Sequence, residues 1–155
     1  MKSPQQREFG IVAILDALGA ANYTDPEIQT FLESRENVLR LFNAKADEVI
    51  GDLRADMIST FTFNDTILIL LKSGASIPKM AHVRAFHTIL RKFMIDSLSH
   101  RILFRGALSI GSFYVNDDTN TVMGQAVTDA AAWYDKADWF MASRATVHAA
   151  RMKKL

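Results

Sequence analysis

Seven consecutive residues, Phe9-Gly10-Ile11-Val12-Ala13-Ile14-Leu15, carry no polar side chain, and the run stops at Asp16. A stretch apolar at successive positions has no face to give to water. It predicts a strand buried on both sides, with the aspartate where the sheet meets solvent. Gly19-Ala20-Ala21-Asn22-Tyr23-Thr24-Asp25-Pro26 reads as a loop into a helix capped by Thr24 or Asp25, with Pro26 at its first position. That helix carries Ile28, Phe31, Leu32, Val38, Leu39 and Phe42, runs to about Asn43, and continues or restarts through Ile50. Met57–Phe63 and Thr66–Leu71 predict a hairpin turning at Asn64-Asp65. Gly74–Pro78 is a connection. Val83, Phe86, Leu90, Phe93 and Met94 then recur at helical spacing within a helix from Lys79 to about Ser99. Ile102–Phe113 reads as strand, Val115–Asn120 as a polar turn and Thr121–Met123 as a short strand. An alanine-rich helix from Gln125 to about Lys136, a strand at Trp139–Ala142 and a last helix at Arg144–Lys153 complete the chain.

This order mixes hairpins with helical crossovers, which predicts an α+β fold: a largely antiparallel sheet, ferredoxin-like or palm-type, with helices packed on one face. No repeat, low-complexity tract or linker interrupts residues 1–155, so they read as a single domain large enough to bury a core. The 49% hydrophobic and 23% charged fractions are those of a soluble globular protein. A net charge of +1, with Arg151-Met152-Lys153-Lys154 the one dense basic block, argues against a nucleic-acid surface. The absence of cysteine excludes disulfides and thiolate metal sites. Met1–Glu8 is polar without a signal-peptide core, and no apolar run reaches the roughly 18 residues of a membrane span. A cytoplasmic protein without a membrane partner is expected.

Asp16 and Asp65 each break an apolar, β-prone run. On adjacent strands two such carboxylates make a site for a hard divalent cation of the kind that handles nucleotide phosphates. The alternative leaves Asp16 opening a loop and Asn64-Asp65 as ordinary turn residues. Other candidates carry less. His82 and His87 are five apart and share no helical face, while His100 and His148 are isolated, so none forms a metal pair. Asp52 and Asp56 read as a solvated acidic face. Trp133, Tyr134 and Trp139 read as core packing or an oligomer interface. Ser109 has no positioned His/Asp partner for nucleophilic chemistry.

Taken in order, these segments resemble the class III nucleotidyl cyclase homology domain. Leu15-Asp16-Ala17-Leu18-Gly19 is similar to the end of its first strand, where an aspartate precedes a hydrophobic residue and a glycine. Asn64-Asp65 is similar to the hairpin that carries its second aspartate. Arg105-Gly106-Ala107-Leu108-Ser109-Ile110-Gly111 resembles a later strand, and Val122-Met123-Gly124-Gln125-Ala126-Val127 the strand-to-helix junction after it. The first motif, with Ser109-Ile110-Gly111, Gly124-Gln125-Ala126 and Ala137-Asp138-Trp139, most resembles a divergent bacterial group that includes the pyrimidine (uridylate and cytidylate) cyclases of anti-phage signalling. The likeness spans roughly Gly10 to Ser143 and rests on the order and spacing of short motifs.

The resemblance implies conversion of a nucleoside triphosphate to a cyclic nucleotide with two Mg²⁺ or Mn²⁺ ions. Asp16, Asp65 and the Ala17 carbonyl would hold the metals, and the backbone around Gly19 and Ala20 would cradle phosphate, unless Gly19 is only a tight turn. Phe61, Arg105, Thr121 and Thr128 would complete a nucleotide site shared across a homodimer. The chain also departs from the family. Phe61 and Thr121 stand where purine cyclases carry base-reading side chains, and Thr128 and Ala132 stand where the family has its transition-state asparagine and arginine. Ala20-Ala21 replace an aromatic and a threonine, and nothing after Leu155 matches the terminal hairpin. These departures keep a second function open: a catalytically inactive cyclase-like domain that binds a nucleotide or a protein partner. A diguanylate-cyclase-like palm is a third reading, weakened by the missing Gly-Gly-Asp/Glu-Glu-Phe core.

Overall fold

The computed structural model describes residues 6–49, 55–134 and 136. Along the chain it runs β1 (Gln6–Ala17), α1 (Asp25–Val49), β2 (Ile58–Phe63), β3 (Thr66–Lys72), α2 (Met80–Ser99), β4 (Phe104–Asn116), β5 (Thr121–Met123) and α3 (Gln125–Ala131), with 3-10 turns at Ala20–Asn22 and Ala55–Met57. The strands form one sheet ordered β2-β3-β1-β4-β5, every neighbouring pair antiparallel. The fold is thus the expected α+β arrangement. The strand expected at Trp139–Ala142 and the helix at Arg144–Lys153 lie outside the described residues.

β1 is the middle strand, and its two faces explain its continuous apolar run. Ile11, Ala13, Leu15 and Ala17 join Ile67, Ile69 and Leu71 of β3 beneath α1 and α2. Val12 and Ile14 face the other way, toward Phe61, Leu70, Phe113 and the Ala126 and Ala130 side chains of α3. The two long helices share one face, and short α3 crosses part of the opposite face at the β4 end. Phe93 of α2 sits 5.7 Å edge-on from Phe42 of α1 and 5.5 Å from Phe104 of β4. Such aromatic burial stabilises by about 2–3 kcal/mol per ring, which fixes both helices to the sheet. No helix among the described residues is long and apolar enough to cross a membrane.

Several boundaries differ from the periodicity. β1 and β4 are longer than expected because each pairs with the other along twelve residues, from Gln6↔Val115 to Ala17↔Phe104. α1 runs unbroken to Val49. α3 stops at Ala131 rather than near Lys136, with Ala132 as its C-cap. Its start is constrained by Gly124, at φ 143° and ψ 180°, where a Cβ would stand 2.6 Å from the Phe113 Cα. That conformation is essentially reserved for glycine.

The start of α1 is capped by two bonds that both run from Thr24 to Glu27. The Glu27 carboxylate accepts both the backbone N–H and the hydroxyl of Thr24 at 2.7 Å. These bonds, the backbone one foremost, hold its pKa below the usual carboxylate range against a small opposing effect of burial. A lowered folded-state pKa gives stability that is present above the unfolded value and lost as pH falls through the folded one. Glu27→Gln should therefore flatten the acid limb of a melting-temperature profile below about pH 5, leaving the profile near neutrality parallel to wild type. Gly124→Ala should cost about 2–4 kcal/mol in urea unfolding, combining backbone strain with overpacking. Gly19→Ala, whose Cβ meets nothing within 4 Å, carries only the strain of φ 82° and should cost about 1–2 kcal/mol.

Candidate functional site

Asp16 lies one residue from the end of β1, directly opposite Thr66 of β3 and Arg105 of β4. Directly opposed residues project to the same side of a sheet. Phe63 is opposite Thr66 in turn, so Phe63, Thr66, Asp16 and Arg105 form one row across four strands, on the face away from α1 and α2. The next row, Phe61, Leu68, Ile14 and Ala107, is wholly apolar. The carboxylate therefore stands where the core of that face ends. Its Oδ1 accepts the Thr66 hydroxyl at 3.3 Å, and its Oδ2 accepts Nε and Nη2 of Arg105, both at 3.2 Å. The two side chains of the ion pair are only 14% and 26% exposed, so each charge relies on the other more than a surface pair does.

The hairpin turn brings Asp65 to the same end. Asn64 takes the left-handed conformation at φ 55°, which its short amide side chain tolerates. Arg35 of α1 donates through Nη1 to the Asn64 carbonyl, its guanidinium 5.7 Å from the Phe31 ring. The Ala17 N–H donates to the Asp65 carbonyl at 3.1 Å, which ties the turn to the end of β1. The Asp65 carboxylate has no partner among the described residues. Beyond Ala17, Leu18 N–H donates to the Leu103 carbonyl at 2.8 Å, and Gly19 at φ 82° reverses the chain into the Ala20–Asn22 turn. Gly19 is exposed, while Ala20 packs against the α1/α2-face core.

Asp16, Ala17, Gly19, Ala20, Asp65 and Arg105 are thus gathered at one end of the sheet. Thr121 and Thr128 are not. Thr121 pairs with Asn116 on β4, eleven residues from Arg105, or roughly 35 Å along the strand at ~3.3 Å per residue. Its hydroxyl donates to the Thr119 carbonyl at 3.2 Å, and the Thr128 hydroxyl donates to the Gly124 carbonyl at 3.2 Å. Phe61, proposed as a nucleotide contact, is 8% exposed and fills the core beside Val12 and Ile14. The exposed ring is Phe63, at 80%, which the motif comparison passed over. Strand alternation placed Phe61 and Phe63 on one face; only the three-dimensional edge of the core separates them. His82 is half-buried and His87 exposed on α2, and the His100 Nδ1 lies 2.9 Å from the Asp96 carbonyl, so these three form no metal site among the described residues; His148 lies outside them.

Asp16, Asp65 and the Ala17 carbonyl are hard oxygen donors, which suits Mg²⁺ or Mn²⁺. Among the described residues no three His, Cys, Asp or Glu side chains gather into a cage. An ion at this end would draw the rest of its shell from water and phosphate oxygens, as Mg²⁺ commonly does.

The five-stranded antiparallel sheet under two long helices, with Asp16 and Asp65 at one end, superposes as a whole on solved structures. The adenylyl cyclase CyaB from P. aeruginosa superposes with a TM-score of 0.65 at 14% identity, covering 93% of this chain and 81% of that one. The chain has the nucleotidyl cyclase fold. The dimeric guanylyl cyclase domain of the RhoGC fusion protein from the fungus Blastocladiella emersonii gives 0.63 at 14% identity, over 89% of this chain and 81% of that one. A rhodopsin-guanylyl cyclase catalytic core with converted specificity, solved with ATPαS, gives 0.65 at 10% identity, over 90% and 78%. No protein-family model matches the chain, and no curated protein sequence matches it.

The pairing of Asp16 with Arg105 is open to a double-mutant cycle. Asp16→Asn and Arg105→Gln should each destabilise by about 1–3 kcal/mol, and the double variant by about 1 kcal/mol less than their sum. Additive losses in urea unfolding would mean that the two charges do not support each other.

Proposed function

We propose that this domain is a nucleotidyl cyclase-like domain that binds a nucleoside triphosphate with divalent metal at the Asp16–Asp65 end, and converts it to a cyclic nucleotide. The observation that carries this reading is the convergence of both carboxylates on one end of adjacent central strands, within a fold shared with adenylyl and guanylyl cyclase domains. In such a reaction the ribose 3′-oxygen loses its proton and attacks the α-phosphorus as pyrophosphate leaves. Two Mg²⁺ or Mn²⁺ ions, when bound, make the 3′-hydroxyl more acidic and offset the charge of the triphosphate. The chain's own part is to hold oxygen ligands in place: Asp16 is braced by Thr66 and Arg105, and Asp65 by a turn bonded to Ala17 and Arg35.

The same geometry supports a homodimer. Thr121, opposite Asn116, lies at the far end of β4 from Arg105 and on the α1/α2 side of the sheet, too far from Asp16 for a single nucleotide to span. A second copy packed against the Asp16 end would complete the site with its own residues.

A second reading, nucleotide binding without turnover, has its own support. Arg105 is committed to Asp16, the Thr128 hydroxyl to its own helix, and Ala132 carries no polar group. An arginine clamp on a transferring phosphoryl group is worth roughly 10³–10⁵ in rate, so its lack is a reason for slow or absent chemistry.

Calorimetric titration of a non-hydrolysable nucleoside triphosphate with Mn²⁺ tests both readings. Wild type should bind only with the metal, and Asp16→Asn combined with Asp65→Asn should lose at least tenfold in affinity, about 1.4 kcal/mol. Binding indifferent to metal and to both substitutions would overturn the two-carboxylate site. Cyclic product from any of the four triphosphates would select turnover over binding alone.

A further inference from the structure

Phe63 is the most exposed large hydrophobic side chain among the described residues, at 80%. It ends β2 beside the Asn64-Asp65 turn, while Phe61, one pleat away on the same face, is 8% exposed. The cover of that face stops between them. Phe63 shares its row with Thr66, Asp16 and Arg105, two strands from Asp16, or about 10 Å at ~4.8 Å per strand. That is the reach of a nucleoside from its base to its phosphates. In the row the Phe63 ring offers a base no hydrogen-bonding group, while the Thr66 hydroxyl donates to Asp16 and Arg105 is bonded to the same carboxylate.

We propose that Phe63 is the base-contacting residue of this site, holding the nucleobase by stacking on its ring, and that the domain consequently accepts purine and pyrimidine triphosphates with little discrimination. This rests on the metal–triphosphate reading above. Base–aromatic stacking needs only a π-face on each partner and is tolerant of base identity. It also gives this chain a substitute for the base-reading side chains that Phe61 and Thr121 do not supply. Affinity should follow the size of the stacked ring system, so purines bind somewhat tighter than pyrimidines, within about tenfold.

The test compares Mn²⁺-dependent binding of non-hydrolysable analogues of all four nucleoside triphosphates with that of inorganic tripolyphosphate, which has no base. Phe63→Ala and Phe63→Leu should weaken every nucleotide by about tenfold while leaving tripolyphosphate within twofold. Leucine keeps apolar bulk without a π-face, and at an exposed position neither change should disturb the circular dichroism spectrum. Phe63→Trp should retain affinity and show tryptophan quenching by nucleotides, absent from wild type and absent with tripolyphosphate. Nucleotide affinities unchanged in Phe63→Ala overturn the proposal and leave the metal–triphosphate site standing. Equal losses for nucleotides and tripolyphosphate, with a shift from dimer to monomer in sedimentation, overturn it by making Phe63 a subunit contact. Wild type that binds neither class overturns both readings.

Discussion

The structure depends on one strand that is closed on every side. β1 is hydrogen-bonded to β3 along one edge and β4 along the other, and its two faces carry separate hydrophobic cores. A strand in that position can place a charge only at an end, where the cores stop. Asp16 meets this condition, and only with help. A carboxylate 14% exposed costs several kcal/mol in desolvation if left unpaired, so the register that sets Thr66 and Arg105 opposite it is part of what makes the residue tolerable. The same register makes the row in which Phe63 stands. Stability and the chemistry of this end therefore share one geometric cause.

Arg105 shows how that sharing limits function. As a partner of Asp16 it neutralises the carboxylate without water, and in doing so it occupies an oxygen that a metal would otherwise take. On the proposed function, a cation arriving with a triphosphate would compete with a guanidinium already in place, and would gain from Asp65, whose carboxylate has no competing partner among the described residues. The two aspartates are thus unequal. In the proposed site Asp65 would be the readier ligand, and Asp16 would join through Oδ1, where the Thr66 hydroxyl at 3.3 Å is the weaker of its bonds.

Much of the fold was legible because its signals are local. The apolar run of β1, the helical spacing in α2 and the Asn64-Asp65 turn each declare themselves within a dozen residues, and Thr24 and Glu27 stand at the spacing of a capping box. The strand ends were less legible, since β1 and β4 extend only because each supplies the other with partners. The site divides the same way. Asp16 and Asp65 could be picked from breaks in apolar runs. The Asp16–Arg105 pair could not, as it joins residues 89 apart through a register that no local pattern reports. Phe61 and Phe63 look equivalent in a strand. Which ring is buried depends on how far α3 and the core reach across the sheet, and that is a property of the assembled molecule.

The row's chemistry also bears on what this domain has retained. Binding a metal–triphosphate needs oxygen ligands and a surface for the base, and Asp16, Asp65 and Phe63 lie together at one end. Turnover needs charge stabilisation that appears only in the transition state. The positions matched to that task, Thr128 in α3 and Ala132 at its C-cap, offer one self-bonded hydroxyl and a methyl group. A second copy would bring those same poor donors with it, which leaves the transition-state charge to other residues. Among the described residues at this end, Arg35 holds the Asn64 carbonyl and Arg105 holds Asp16, so the guanidinium already standing in the row is Arg105. It would have to release Asp16 as metal takes over the carboxylate, turning a structural counter-charge into a phosphate ligand. That exchange conserves charge at Asp16, and it links the ability to turn over directly to the occupancy of the metal site.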